Sequence, residues 1–222
     1  MGLKRVERER RCAMNSSDLR REDNYNEYLR LLQNGDYMDV TFDEESGGMS
    51  AVHKYHKFDK QKSPFAAHRG DYERHVVNVL RGSGGRVVLE SEISSSGVKV
   101  CDGLLNDIPM EIKAVEGMGT WTICTKMHEA DKQHAQGVVL YFPKAGLFSE
   151  DRLKEGIRLY HSNPETIKHQ CISKMMVIVE DAVVASAWDE KTTPEKEWLI
   201  LEGLRGQNGA NPFTIPPSDA KV

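Results

Sequence analysis

VKVCDGLLNDIPMEIKAV, Val98 to Val115, places two strand-like runs on either side of Asn106-Asp107. Asn and Asp tolerate the left-handed backbone that a two-residue hairpin turn requires, so the stretch reads as a β-hairpin. If Leu105 pairs with Ile108, Asp102 falls directly opposite Glu111 and both project from one face. Lys113, two residues further on, shares that face, while Ile108, Met110, Ile112 and Ala114 take the opposite, apolar one. The assignment depends on turn length. A three-residue turn would set Met110 opposite Asp102 and carry Glu111 to the other face.

Two carboxylates opposed across a strand pair, with Cβ atoms about 4.5 to 5.5 Å apart, repel each other unless something compensates. A hard divalent cation, Mg²⁺ or Mn²⁺, held by Asp102 and Glu111 would compensate. Hydrolysis of a phosphodiester needs charge stabilisation at phosphorus and a deprotonated water, and such an ion supplies both. Lys113 would orient the water or stabilise the developing charge.

Outward from the hairpin, Asp71 is placed to cap a helix carrying Tyr72, Val76, Val79 and Leu80, ended by Gly82, Gly84 and Gly85. A strand at Arg86 to Glu90 follows. Beyond the hairpin, Thr125 is placed to cap a helix over Lys126 to Gln136 that stops at Gly137, and Val138 to Phe142 reads as a buried strand ended by Pro143. The order from 71 to 142 is αβββαβ. Upstream, a helix over Asp18 to Gln33 with Ser17 as cap carries a rough stripe of Leu19, Tyr25, Tyr28, Leu29 and Leu32. An alternating strand spans Tyr37 to Asp43, turn-rich Glu44 to Gly48 follows it, and the polar stretch Lys54 to Arg69 reads as a linker or loop. Downstream come a helix from Ser149 to about Tyr160, a short one at Asn163-Pro164, strands at Met175 to Val179 and Ala182 to Ala187, and a helix from Thr193-Pro194 to Leu204.

Cys101-Asp102, eight intervening residues, then Glu111-Ile112-Lys113, within the αβββαβ order, resembles the PD-(D/E)XK nuclease superfamily over about 70 to 145. The resemblance implies an α/β (α+β) fold with a restriction-endonuclease-like core and mixed sheet, flanked by an N-terminal helical segment and a C-terminal α/β segment. It implies that Asp102 and Glu111 bind the metal and that Lys113 assists catalysis. Glu73 on the first helix and Gln133 on the helix after the third strand match accessory positions of many members, and Cys101 stands where the motif has Pro. The expected organisation is an N-terminal helix and strand segment over 1–60, a nuclease-like α/β domain over 65–205 and a loose tail over 206–222. The stretch Val98 to Phe142, with Lys132-Gln133 and Ala135, is more loosely similar to C-terminal toxin domains of polymorphic and contact-dependent inhibition systems. Some of those belong to a barnase, EndoU, colicin and RelE-like fold that cleaves RNA without metal. The implied partner is nucleic acid, DNA or RNA, and a toxin would also have a cognate immunity protein.

Composition narrows the classes. Hydrophobic residues make up 39% and charged residues 29%, as in a folded soluble protein, and no apolar run approaches the roughly 20 residues of a bilayer span. The basic N-terminus, Lys4 to Arg11, has no apolar stretch behind it, so a cytoplasmic protein is expected. Cys12, Cys101, Cys124 and Cys171 are too scattered for a disulfide framework or a zinc site. The net charge of −4 gives no global footprint for nucleic acid, which leaves local positive charge or a bound cation to hold phosphates. A non-catalytic interaction module of the same fold fits that charge as well. Glu90 and Glu92 read as a polar strand end or as further ligands. His128 and His134 read as solvent-exposed, Trp121 and Trp188 as core or interface residues. Composition does not reveal the oligomeric state.

Overall fold

The computed structural model describes residues 15–58, 69–91, 100–162 and 171–188. Calls at Asn163-Pro164, Thr193 to Leu204 and 206–222 lie outside them, as does the basic N-terminus. The described chain folds as mixed α/β, with helices on both faces of one eight-stranded mixed sheet whose strands lie in sequence order. The elements are α1 (Ser16–Leu32), β1 (Tyr37–Phe42), β2 (Met49–His53), α2 (Arg69–Gly82), β3 (Arg86–Leu89), β4 (Gly103–Leu105), β5 (Ile108–Ala114), α3 (Thr120–Asp131), β6 (Gly137–Phe142), a short 3₁₀ turn, α4 (Glu150–Ser162), β7 (Lys174–Val179) and β8 (Ala182–Ala187). From α2 to β6 the order is αβββαβ.

The hairpin turn has two residues. Asn106 and Asp107 sit at φ 50° and 67°, the left-handed pair of a type I′ turn, and the register runs Leu105↔Ile108, Leu104↔Pro109, Gly103↔Met110. Pro109 is tolerated because a residue in a non-hydrogen-bonded pair sends its N–H side away from the partner strand, and β6 pairing begins only at Met110↔Gly137.

Each sheet face has its own apolar set. On one face α2 lays Val76, Val77 and Leu80 over Val87, Leu105, Met110 and Ile112. On the other, α3 and α4 cover Val138, Leu140 and Val177, and α1 covers Met49, Ala51 and Val88 through Leu31. Glu111 and Lys113 pair in register with Val138 and Leu140, which puts them on the α3 and α4 face.

Several local expectations are corrected. The strand β2 falls in a stretch that carries no period-2 pattern. It lies parallel to β3 between α1 and α2, and four of its five residues are buried, as suits a strand covered on both faces. Helix α1 is capped by Asn15, whose side chain accepts from the Asp18 N–H at 2.8 Å, with Ser17 already inside the helix. Its sheet-facing residues are Asn24 and Leu31, leaving Tyr25, Leu29 and Leu32 exposed. Helix α2 starts at Arg69, two residues before Asp71. Helix α3 starts at Thr120 and ends at Asp131 rather than spanning 126 to 136, so Thr125 is interior to it. Its first turn contains β-branched residues of modest helix propensity, but Ile123 packs against Gly156 of α4, where a Cβ would stand 2.6 Å away, and that burial outweighs propensity. At the other end His134, at φ 59°, turns the chain.

Candidate active site

Gly103 opens β4 pressed against β3, where a Cβ would stand 2.2 Å from the Val88 carbonyl oxygen and 2.8 Å from the Leu89 Cα. The next residue outward, Asp102, keeps a backbone bond to β3, its carbonyl accepting the Glu90 N–H at 2.9 Å, and meets β5 through its side chain. Its Oδ2 accepts the Ile112 N–H at 2.8 Å, taking the place of a strand carbonyl. Its own N–H donates to Glu111 Oε2 at 3.0 Å. Glu111 is fully buried, at 0% exposure, and its Oε1 accepts from Lys113 Nζ at 2.5 Å. Asp102, Glu111 and Lys113 thus form one connected buried group at the mouth of the hairpin.

Glu73 joins it from the other face. It is buried, and together with Val76, Val77 and Leu80 it completes an i, i+3, i+4, i+7 stripe along α2. An acidic residue in the first place of a core-facing stripe costs stability unless partnered, which separates it from an ordinary solvated helix glutamate. Burial first, then the charges of Glu111 and Glu73, holds the Asp102 carboxyl well above the usual carboxylate range, with Lys113 and the Ile112 N–H opposing. Lys113 is held above the usual lysine range. Burial works against its ammonium, but Glu111, Asp102 and Glu129 outweigh that cost.

The structure places the remaining sequence candidates unevenly. Gln133 lies past the end of α3, with its amide nitrogen 3.5 Å from the Glu129 carbonyl and its Oε1 buried without a hydrogen-bond partner. The α3 charge that reaches Lys113 belongs to Glu129, which also pairs with Lys126 at 2.7 Å. Glu90 accepts the Tyr37 hydroxyl at 2.9 Å; burial and this carboxylate push the Tyr37 phenol up to about 12. Glu92 lies outside the described residues. His134 is exposed, whereas His128 is half-buried against Tyr160 and its imidazole is held below the usual histidine range by burial. Trp188 is core, donating to the Leu105 carbonyl at 3.0 Å; Trp121 is 62% exposed. The Cys101 thiol is pushed up to about 11 by burial and by Glu111 and Asp102, so it is not a thiolate at neutral pH.

Sequence reasoning missed His56, which follows β2. Its side chain is 0% exposed, Nδ1 lies 2.8 Å from the Glu90 carbonyl oxygen, and Nε2 lies 3.9 Å from Glu73 Oε1. No periodicity marks it, since it sits in a turn brought to the site by the β2 to β3 pairing.

The donor chemistry fits a hard divalent cation. Two buried carboxylates, Asp102 and Glu111, lie beside the Lys113 ammonium, and Asp102 is held raised by burial first and by the charges of Glu111 and Glu73 second. Mg²⁺ is ordinarily bound through one or two carboxylates plus waters. Among the described residues no group of three or more His, Cys, Asp or Glu side chains is placed to hold a metal ion. Among the described residues, too, no helix is long and apolar enough to cross a membrane. Comparison with protein-family models, curated proteins and solved structures finds no match for this chain.

Proposed function

We propose that this protein hydrolyses phosphodiester bonds of DNA or RNA, with Asp102 and Glu111 holding Mg²⁺ or Mn²⁺ and Lys113 assisting. The observation that supports this reading above others is the Asp102–Glu111–Lys113 group: two buried carboxylates and an ammonium joined by hydrogen bonds, Asp102 just before β4 and the other two on β5. Within an αβββαβ segment this is also the arrangement expected of a PD-(D/E)XK core. The bound ion would polarise the phosphoryl oxygen and lower the pKa of its water.

The chain's own residues do the rest. The Ile112 N–H and the Asp102 N–H fix the two carboxylates before any ligand arrives, so no reorganisation is needed during the reaction. Lys113, kept charged by Glu111, Asp102 and Glu129, presents a permanent cation to the pentacovalent phosphorus or to the attacking water. Glu73 adds negative charge beside Asp102.

A second reading, a non-catalytic interaction module, is favoured by one observation: Glu111 is fully buried with both oxygens engaged, as in a structural ion pair. Purified protein incubated with plasmid DNA and with bulk tRNA, each with Mg²⁺ or with chelator, separates the readings. Cleavage that needs Mg²⁺ supports the proposal. Cleavage in chelator points to a metal-independent RNase, and no cleavage of either substrate points to the interaction module. A toxin role would add a cognate immunity protein as partner.

A further inference from the structure

Helix α3 has three kinds of surface. Ile123, Met127 and Ala130 are core, Trp121 and Thr125 are exposed, and His128 leans on Tyr160 of α4 with ring centroids 4.9 Å apart. The remaining flank carries Thr122, Lys126 and Glu129 at i, i+4 and i+7, all half-buried, on the side of the helix turned from α4. Lys126 is well covered for a lysine, with a side chain 21% exposed, and its Nζ is fixed 2.7 Å from Glu129 Oε2. Glu129 is the freer partner at 42%. Its charge also acts on Lys113, so this flank borders the Asp102–Glu111–Lys113 group.

A nuclease meets a polyanion, and the phosphates beside the scissile one have to be held by local positive charge, since a net charge of −4 gives no overall attraction. Lys113 is committed to the buried Glu111, whose Oε1 it holds at 2.5 Å. Lys126 has a partner that it can exchange. An i, i+3 pair with a half-exposed carboxylate is weak, and a phosphate offers the same charge-assisted contact. The carboxylate turns out into water while the ammonium stays where it is, so binding orders little that is not already ordered.

We propose that Lys126 holds a phosphate of the nucleic-acid strand next to the scissile one, and that Glu129 is the anion it releases in doing so. The proposal rests on the nuclease reading above and adds a phosphate subsite to it. A contact of this kind positions the strand and reads no sequence, so Lys126 acts on binding and not on the chemical step.

Steady-state cleavage by the full chain of whichever of plasmid DNA and tRNA it cuts, in Mg²⁺ at about 50 to 200 mM KCl, tests this. Lys126→Ala should raise KM about tenfold and leave kcat within about threefold. It should also make the fall of log(kcat/KM) with log[KCl] shallower by about 0.7 to 0.9, the share of one phosphate contact. Lys126→Arg should restore most of the affinity. Glu129→Gln should act in the opposite direction, lowering KM by about threefold or more at low salt, because the ammonium no longer has an anion to give up. A purely structural ion pair would not give opposite signs in the two variants. A KM and salt slope unchanged in Lys126→Ala, or a KM that rises in Glu129→Gln, overturns the subsite and leaves the Asp102, Glu111 and Lys113 reading standing. A wild type that cleaves neither substrate overturns both.

Discussion

Asp102→Asn is the most informative single change, because the nuclease reading requires it to remove function and raise stability together. Asparagine is isosteric, and its Oδ1 can still accept the Ile112 N–H that Asp102 Oδ2 takes at 2.8 Å. What disappears is a buried negative charge facing Glu111 and Glu73. Relief of one directly opposed like charge is worth up to about 1 kcal/mol, offset by a weaker, now neutral hydrogen bond, so the expected net gain without metal at pH 8 is about 0.5 to 1 kcal/mol. In a protein of this size that raises Tm by roughly 1 to 4 °C.

The sign of the pH dependence follows from the raised carboxyl. A group whose folded pKa lies above its unfolded value contributes stability that is complete below the unfolded pKa and is lost as pH rises through the folded one. The advantage of Asp102→Asn should therefore be largest in the alkaline arm and vanish below about pH 4, where both forms are neutral. Mg²⁺ should reverse the order: at a hundred times its Kd it stabilises the wild type by about 2.7 kcal/mol and the variant by little. Thermal unfolding from pH 4 to 9, with and without Mg²⁺, reads all of this, and nucleic-acid cleavage is assayed in parallel. A variant that unfolds several degrees earlier at every pH, with no Mg²⁺ effect on the wild type, would refute the reasoning and mark Asp102 as structural.

Other expectations follow from the same geometry. Lys113→Met should lower turnover by a factor on the order of 10² or more with Mg²⁺ affinity largely kept, checked by steady-state kinetics and metal titration. Because it strands Glu111 in the interior, it should also cost roughly 3 kcal/mol, measured by denaturant unfolding. Glu73→Gln should weaken metal binding more than it lowers turnover at saturating Mg²⁺, and Gln133→Ala should have the smaller effect of the two, since its described partner is a carbonyl of α3. Gly103→Ala should lose about 1 to 3 kcal/mol by forcing a Cβ into the β3 backbone, measured by denaturant unfolding.

Local chemistry alone decided the centre of this protein. Two adjacent residues that tolerate positive φ made the turn, and a period of two then fixed which β5 side chains share a face, so the adjacency of Asp102, Glu111 and Lys113 was readable from eighteen residues. The αβββαβ order was equally local, set by helix and strand periodicities. Tertiary structure decided what depends on distant surfaces. Strand β2 exists because α1 and α2 cover both its faces, and α3 begins at Thr120 because Gly156 of α4 leaves room for Ile123. The burial of Glu73 is visible only once α2 is docked on the sheet, when its fourth-residue neighbours prove to be core. His56 carries no signal at all in the chain: its meaning comes from a carbonyl 34 residues away and a carboxylate on another helix, contacts that sequence separation hides and folding creates.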